Sequence, residues 1–558
     1  MIKKSINLAT VQKLIIFKDL IQERKKIKMN LAKFKAFCSK HRKAIIYTSL
    51  LFLIIFVITI TAIIVRKGNK KAFDPNTVNI TMPSDVKGFD VCNTSHTSTA
   101  YANWAFSLMH DTLLYKNKKG EVKSMLATLD EKDSEGKRFT FTLKDKILFH
   151  NGKLLTTDDI VFTFERGKAN EHAQFLEIEA VEKIDAKKFI IVVKDASLWS
   201  NFKFYSFFKV LSKQTIQEAQ NQGDEAIQKA LQVGTGPYKL VDYNKDDRLK
   251  FELFDSYYDK ERIKTSPQKI NLKISKNDDT NLQELENGQI DAILNYPNSK
   301  IKDVKQNLSN KIKIVENDSV GCSYIYINKK TTSLEARKAI SQTIDTQAIK
   351  DQLELPGKKL NSFLPTSLIG SDLALKYDIN LSEAKNIVNN LSSNQKKLKI
   401  GISIGNPLDV AGKVVEQLRN VGFEVNLNQE DFNSLTKNMI KEDTDYNMIF
   451  LGENHELEYG HKALTDYFFS NNNESNFCHI DNNDQTSIED KLKLAQKELN
   501  KGEYISLIQQ VSKYIHQQVY VIPLYTSPSY CLTSKHIEKG FETDAFSNFE
   551  FTTIIKKQ

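Results

Sequence analysis

The sequence predicts an α/β protein in which one transmembrane helix precedes a large folded body, and three observations carry this reading. A 22-residue stretch without a charge, Ala44 to Val65, lies ahead of everything that patterns as globular. In the first half of the body, Phe139, Phe141 and Leu143 alternate with Thr140 and Thr142, the period of a half-buried strand. In the second half the expected order is strand 398–404, helix 409–420, strand 423–427, helix 432–441 and strand 446–451. Such a β-α-β-α-β order implies right-handed crossovers and a parallel sheet.

The apolar stretch comes first. As a helix it would be about 33 Å long, enough for a hydrocarbon core of about 30 Å. It exceeds the apolar region of a signal peptide, no A-x-A-like cleavage site follows, and Arg66-Lys67 closes it. Nine Lys/Arg lie between Arg24 and Lys43 against four between Arg66 and Lys71, which places the N-terminus in the cytoplasm. The expected layout is a basic cytoplasmic segment 1–43, an anchor 44–65, a linker 66–75 and an extracytoplasmic body fixed to the inner membrane. The charge follows the same division. Residues 1–71 hold 17 Lys/Arg and two acids, a net of +15, while the rest of the chain carries 62 Lys/Arg and 67 Asp/Glu, a net of −5. The overall +10 therefore belongs to one end, and nucleic-acid binding by the body loses its electrostatic support. Of five cysteines, Cys38 falls on the cytoplasmic side. Cys92, Cys322, Cys478 and Cys531 fall outside, where none, one or two disulfides are all compatible with the sequence.

The body opens with a strand expected over 78–82 and a helix over 99–114. A strand over 139–143 and a short one over 146–149 then lead into Asn151-Gly152, a dipeptide suited to the positive φ of a tight turn. Thr156 or Thr157 can cap the next helix, with Asp158 and Asp159 at its positive end and Ile160, Val161 and Phe164 on its buried face. Further on come a strand over 189–193, a polar helix over 214–232, the turn Val233 to Tyr238 and a hairpin over 238–254. Tyr324, Tyr326 and Asn328 stand at strand spacing on one face, followed by a helix over 335–353. Helices over 488–500 and 504–517 precede a last strand over 519–525.

The ordered string from Arg138 to Arg166, RFTFTLKDKILFHNGKLLTTDDIVFTFER, closely resembles the signature of the peptide- and nickel-binding receptors of ABC importers, bacterial extracellular solute-binding protein family 5. Gly234-Thr235-Gly236-Pro237-Tyr238, Tyr257-Tyr258, Leu285 to Ile293 (LENGQIDAI), Asn328 with Glu335 to Ala339, and Val521 to Tyr525 (VIPLY) match further family segments in the same order. The resemblance implies a two-lobe periplasmic-binding-protein fold of type II (the Venus-flytrap form) with an extra β-rich subdomain. Lobe I is expected over 76–320 plus 523–558, with the subdomain at about 97–205, and lobe II over 321–522.

What the resemblance implies for function is a non-enzymatic substrate-binding component. It would capture a peptide or related small solute by hinge closure outside the inner membrane and deliver it to ABC permease subunits. The alternative is a membrane-anchored solute sensor or protein-interaction scaffold on the same fold. No cofactor, metal, catalytic residue or nucleic-acid partner is implied. The candidate ligand-binding residues are Asn295 and Tyr296, which follow an Ile-Asp strand; Tyr324, Tyr326 and Asn328 at the expected hinge mouth; and Glu453 and Glu456. Peptide-binding members carry a Trp where Glu453 stands and an Asp, pairing the ligand's α-amino group, near Glu456. Gly401-Ile402-Ser403-Ile404-Gly405 fits the nucleophile-elbow pattern, but Gly405-Asn406-Pro407 separates Ser403 from the next helix and no His-Asp partners can be assigned. His455-Glu456 lacks the second histidine of a zincin motif, and Gly234-x-Gly236 runs into a proline and a strand rather than a phosphate-binding helix.

Overall fold

Three β-sheets organise the computed structural model, which describes Arg24 and residues 73–557 apart from 117–121, 134, 195–207, 373, 405, 456–459, 470–475, 499 and 545–547. The chain divides into a unit of residues 1–72 and a compact unit of residues 73–558. The expected anchor at 44–65 lies outside the described residues. Among the described residues no helix is long and apolar enough to cross a membrane.

The largest sheet has seven strands, in the order Ile312–Asn317, Ser529–Ser534, Ala292–Tyr296, Thr77–Met82, Lys269–Ile274, Arg248–Leu253 and Tyr238–Asn244. Its centre is parallel, because Thr77–Met82 pairs in parallel with both Lys269–Ile274 and Ala292–Tyr296. A five-stranded sheet has the order Glu424–Glu430, Lys397–Ser403, Met448–Asn454, Gly321–Ile327 and Val521–Thr526. Its first three strands run parallel, as the β-α-β-α-β pattern requires, and the other two pair antiparallel. The third sheet is antiparallel, with Ala127–Lys132, Arg138–Leu143, Lys188–Val193 and Ile178–Lys183 in that order.

The alternation read from the sequence decides which faces are buried. In Arg138–Leu143, Phe139, Phe141 and Leu143 join one hydrophobic core with Val78, Ile80 and Phe189, so the four-stranded and seven-stranded sheets share a core. In Gly321–Ile327, Tyr324 and Tyr326 face one core, and Ile325 and Ile327 face another on the opposite side of the sheet. The Thr157–Ala169 helix starts at Thr156, whose backbone N–H donates to Asp159 Oδ2 at 2.9 Å. Asp159 Oδ1 accepts from the Lys213 N–H at 2.8 Å, so the acid expected only to meet the helix dipole also ties this helix to the start of Lys213–Gln220. The Gly-Thr-Gly-Pro-Tyr turn is shaped by close approach. A Cβ on Gly234 would sit 1.9 Å from the Met109 carbonyl oxygen, and one on Gly236 would sit 2.5 Å from the Met109 carbonyl carbon.

Several expected elements differ in extent. The helix expected over 335–353 is two, Leu334–Thr343 and Thr346–Gln352, because Asp345 caps the second by accepting from the Ala348 N–H at 3.0 Å. The polar helix over 214–232 likewise divides into Lys213–Gln220 and Asp224–Ala230 at Gly223, which has φ +94°. The short strand over 146–149 reduces to a bridge between Leu148 and Leu154, since Lys146 takes φ +58° and the turn at Asn151-Gly152 closes at once. Cys92, Cys322, Cys478 and Cys531 are all buried and free. Burial holds the Cys322, Cys478 and Cys531 thiols up at about 12.

Candidate functional site

The chain passes between the two large sheets twice, at 318–320 and at 527–528. Asn317 and Ser529 are paired at the end of the seven-stranded sheet, and Cys322 and Thr526 are paired at the start of the five-stranded one. The crossings are tied together where the Ser527 N–H donates to the Gly321 carbonyl at 2.8 Å, and the first is braced within itself by the Gly321 N–H donating to Ser319 Oγ at 2.9 Å. Strand polarity then fixes what lies along them. Lys397–Ser403, Glu424–Glu430 and Met448–Asn454 all end on the crossing edge of their sheet, because Asn454 pairs with Gly321 and the three run parallel. Thr77–Met82, Lys269–Ile274 and Ala292–Tyr296 end on the corresponding edge of the other sheet, since Tyr296 pairs with Tyr530. Carboxyl ends of strands in open α/β sheets are where ligands bind.

On one face of the five-stranded sheet the structure brings together Tyr324, Tyr326, Glu453 and His455, with both tyrosine rings fully buried. The Tyr326 hydroxyl donates to Glu453 Oε1 at 3.3 Å, and Tyr467 also hydrogen-bonds this carboxylate. The Tyr324 hydroxyl donates to the Phe363 carbonyl at 2.6 Å and lies 3.0 Å from His455 Nε2. Its one proton being committed to Phe363, the tyrosine oxygen must accept from Nε2–H, which makes His455 the Nε2–H tautomer. His455 Nδ1 is then a buried acceptor with no hydrogen-bond partner among the described residues. Phe363 packs on Tyr324 (ring centroids 4.9 Å apart), Phe468 (4.7 Å), His455 (5.5 Å) and Tyr467 (5.8 Å), and Tyr326 on Phe477 (5.6 Å).

This apolar enclosure shifts both titrating groups toward neutrality. Burial raises the Glu453 carboxyl to about 7, against the pull of the Tyr467 and Tyr326 hydroxyls, and burial lowers His455 to about 4.

The other expected site residues are placed differently. Asn295 is exposed at a bulge with φ +54°, and its amide donates to the Tyr101 hydroxyl at 3.2 Å. Tyr296 is 3 % exposed in a hydrophobic cluster with Leu285, Ile301 and Leu532. Asn328 follows the far end of the Gly321–Ile327 strand, roughly 23 Å of extended chain from the crossing. Its Oδ1 accepts from the Lys330 N–H and its amide donates to the Tyr446 carbonyl, so it holds a turn. Glu456 lies outside the described residues. Ser403 is the last residue of its strand, with Oγ donating to the Ile404 carbonyl at 3.2 Å. His455 was legible as site-facing, since it stands two residues after Glu453 and so continues its face. Phe363 and Tyr467 come from segments without period-2 patterning and carried no such signal.

Comparison with known proteins agrees with this architecture. Residues 121–476 match the model of bacterial extracellular solute-binding proteins, family 5 Middle. The oligopeptide-binding protein AppA of Bacillus subtilis is 23% identical over 397 residues, 64% of this chain and 70% of that protein. The dipeptide-binding protein of Escherichia coli is 25% identical over 319 residues, 51% of this chain and 58% of its own length, so that match spans little more than half of the relative. Among solved structures, the unliganded open form of the murein tripeptide-binding protein MppA superposes with a TM-score of 0.74 at 16% identity, covering 87% of this chain and 98% of that one. The ABC transporter substrate-binding protein CtaP of Listeria monocytogenes superposes with a TM-score of 0.72 at 18% identity, covering 87% and 100%. These similarities place the fold among two-lobe α/β binding proteins that perform no chemistry on their ligands. The chain belongs to bacterial extracellular solute-binding protein family 5.

Proposed function

We propose that this protein is the receptor of an ABC import system, capturing a peptide or a related small solute in the cleft between two lobes and presenting it to a permease. The observation that carries the reading is the common edge. Two open sheets, joined by two crossings, present their carboxyl strand ends on the same side, where Glu453 and His455 lie. A ligand touching both lobes would stabilise the closed form by hinge motion at 318–320 and 527–528. In this reading lobe I comprises 76–317 and 529–558 with the four-stranded subdomain, and lobe II comprises 321–526. The second limit moves outward from the 522/523 expected from sequence, because Val521–Thr526 pairs along its length with Gly321–Ile327.

The same reading keeps the anchor. Ala44 to Val65 would hold the body on the outer face of the inner membrane, so that receptor and permease meet at raised effective concentration. The test is mass spectrometry of small molecules released on denaturing the full chain purified in detergent. A set of short peptides is expected. Release of none, together with no change of melting temperature on adding peptide mixtures, would refute peptide capture.

A further inference from the structure

Large exposed apolar side chains are few among the described residues, and three of them follow the ends of two adjacent strands. Ile404 is 66 %, Leu408 48 % and Phe432 55 % exposed. They sit on neighbouring strand-to-helix connections, because Lys397–Ser403 and Glu424–Glu430 are adjacent parallel strands and the Ile404 N–H donates to the Glu430 carbonyl at 2.8 Å. Both connections leave the carboxyl ends of their strands, on the crossing edge of the five-stranded sheet. The apolar group therefore belongs to the cleft edge rather than to the outer surface. Scattered exposed apolar residues need no explanation, but a gathered group beside a cleft marks a contact surface.

The charge of the same edge is one-sided. The segments Ser403 to Asp409, Glu430 to Ser434 and Gly452 to His455 contain the carboxylates of Asp409, Glu430 and Asp431 beside the buried Glu453 carboxyl, and no lysine or arginine. At the hinge, Lys358 is already paired with Asp318 at 2.7 Å. A ligand carboxylate placed against Asp409, Glu430 and Asp431 would meet repulsion, whereas an ammonium or a neutral apolar side chain would not.

We propose that the lobe II side of the cleft is an apolar, anion-excluding shelf formed by Ile404, Leu408 and Phe432, and that the protein selects peptides with large apolar side chains and neutral or positive charge. This rests on the cleft being the ligand site. The shelf covers side chains, and the acidic strand ends keep ligand carboxylates away from lobe II.

The test is calorimetry on the full chain in detergent with four defined peptides, Leu-Leu-Leu against Ala-Ala-Ala and Leu-Lys-Leu against Leu-Glu-Leu. Leu-Leu-Leu and Leu-Lys-Leu are each expected to bind at least about tenfold more tightly than their counterparts, the equivalent of burying one or two further apolar groups. The double variant Ile404→Asp with Phe432→Asp is expected to lose about tenfold for Leu-Leu-Leu at unchanged melting temperature. Leu154→Asp, an equally exposed position on the β-rich subdomain, is expected to leave every affinity unchanged. If the peptides bind but Leu-Lys-Leu and Leu-Glu-Leu bind alike, or the double variant binds as the parent does, the shelf is refuted and the cleft reading stands. If no peptide binds the parent, the peptide-receptor reading falls and the shelf falls with it.

Discussion

The β-rich block around Arg138 to Arg166 and the crossing edge of the five-stranded sheet are built on opposite principles. In the block, apolar residues alternate into a shared core and the polar ones are satisfied locally, as Asp159 is by Thr156 and Lys213. On the crossing edge a carboxyl is half buried, a histidine acceptor is left without a partner among the described residues, and Ile404, Leu408 and Phe432 stand in solvent. Consistent local rules build scaffold, and breaches of them mark the surface where a ligand would supply what the fold withholds. The family is legible in the first region, and the proposed ligand surface is the second.

The comparison can be broken most sharply at Phe141, which is fully buried. Phe141→Ala is expected to cost about 3–5 kcal/mol in urea unfolding while leaving the order of peptide affinities intact. A changed preference order would show that the block does reach the ligand. Tyr324→Phe should cost about 2 kcal/mol, because it strands the Phe363 carbonyl and the His455 Nε2–H inside the aromatic cluster. Unlike the first change, it should also alter ligand binding. Asp159→Ala removes a helix cap and the tie to Lys213, and about 1–2 kcal/mol is expected with no effect on binding.

The smallest effect is a pH dependence. Glu453 is raised to about 7 from an ordinary 4.5, so its contribution to stability is full below 4.5 and is lost as pH rises to 7. His455 is lowered to about 4 from an ordinary 6.5, so its contribution is full above 6.5 and is lost as pH falls to 4. Between pH 4.5 and 6.5 the two slopes oppose one another. The contribution of this pair to the melting temperature should therefore be flat across that window. Glu453→Gln should expose a loss of stability toward acid, and His455→Gln a loss toward neutrality. Two variants with the parent's pH profile would mean that these groups titrate as in water.

Much of the scaffold could be read in advance because it rests on neighbours in sequence. Period-2 alternation placed Phe139, Phe141 and Leu143 in the core, and the Thr-Asp spacing marked the start of the Thr157–Ala169 helix. Even the missed break at Asp345 had a local cause, a side-chain cap that outweighed continuing apolar periodicity. The site was harder to read for a geometric reason. Strand spacing tells which face a residue takes, but neither which end of the strand reaches the cleft nor what covers that face. Tyr324, Tyr326 and Asn328 share a face by sequence, yet two lie in the aromatic cluster and the third holds a turn at the far end of the strand.

By itself, then, the sequence determined the class of protein, the membrane-spanning expectation at 44–65, the confinement of basic charge to one end, and the strand and helix order between 398 and 451. Each of these depends on composition or on residues a few positions apart. Tertiary structure alone decided that residues more than a hundred positions apart, such as Tyr324 and His455, meet, and that Ile404 and Phe432 follow the ends of neighbouring strands. Which strand ends share an edge follows from sheet order and direction, and those are set by long-range pairing that no local pattern encodes.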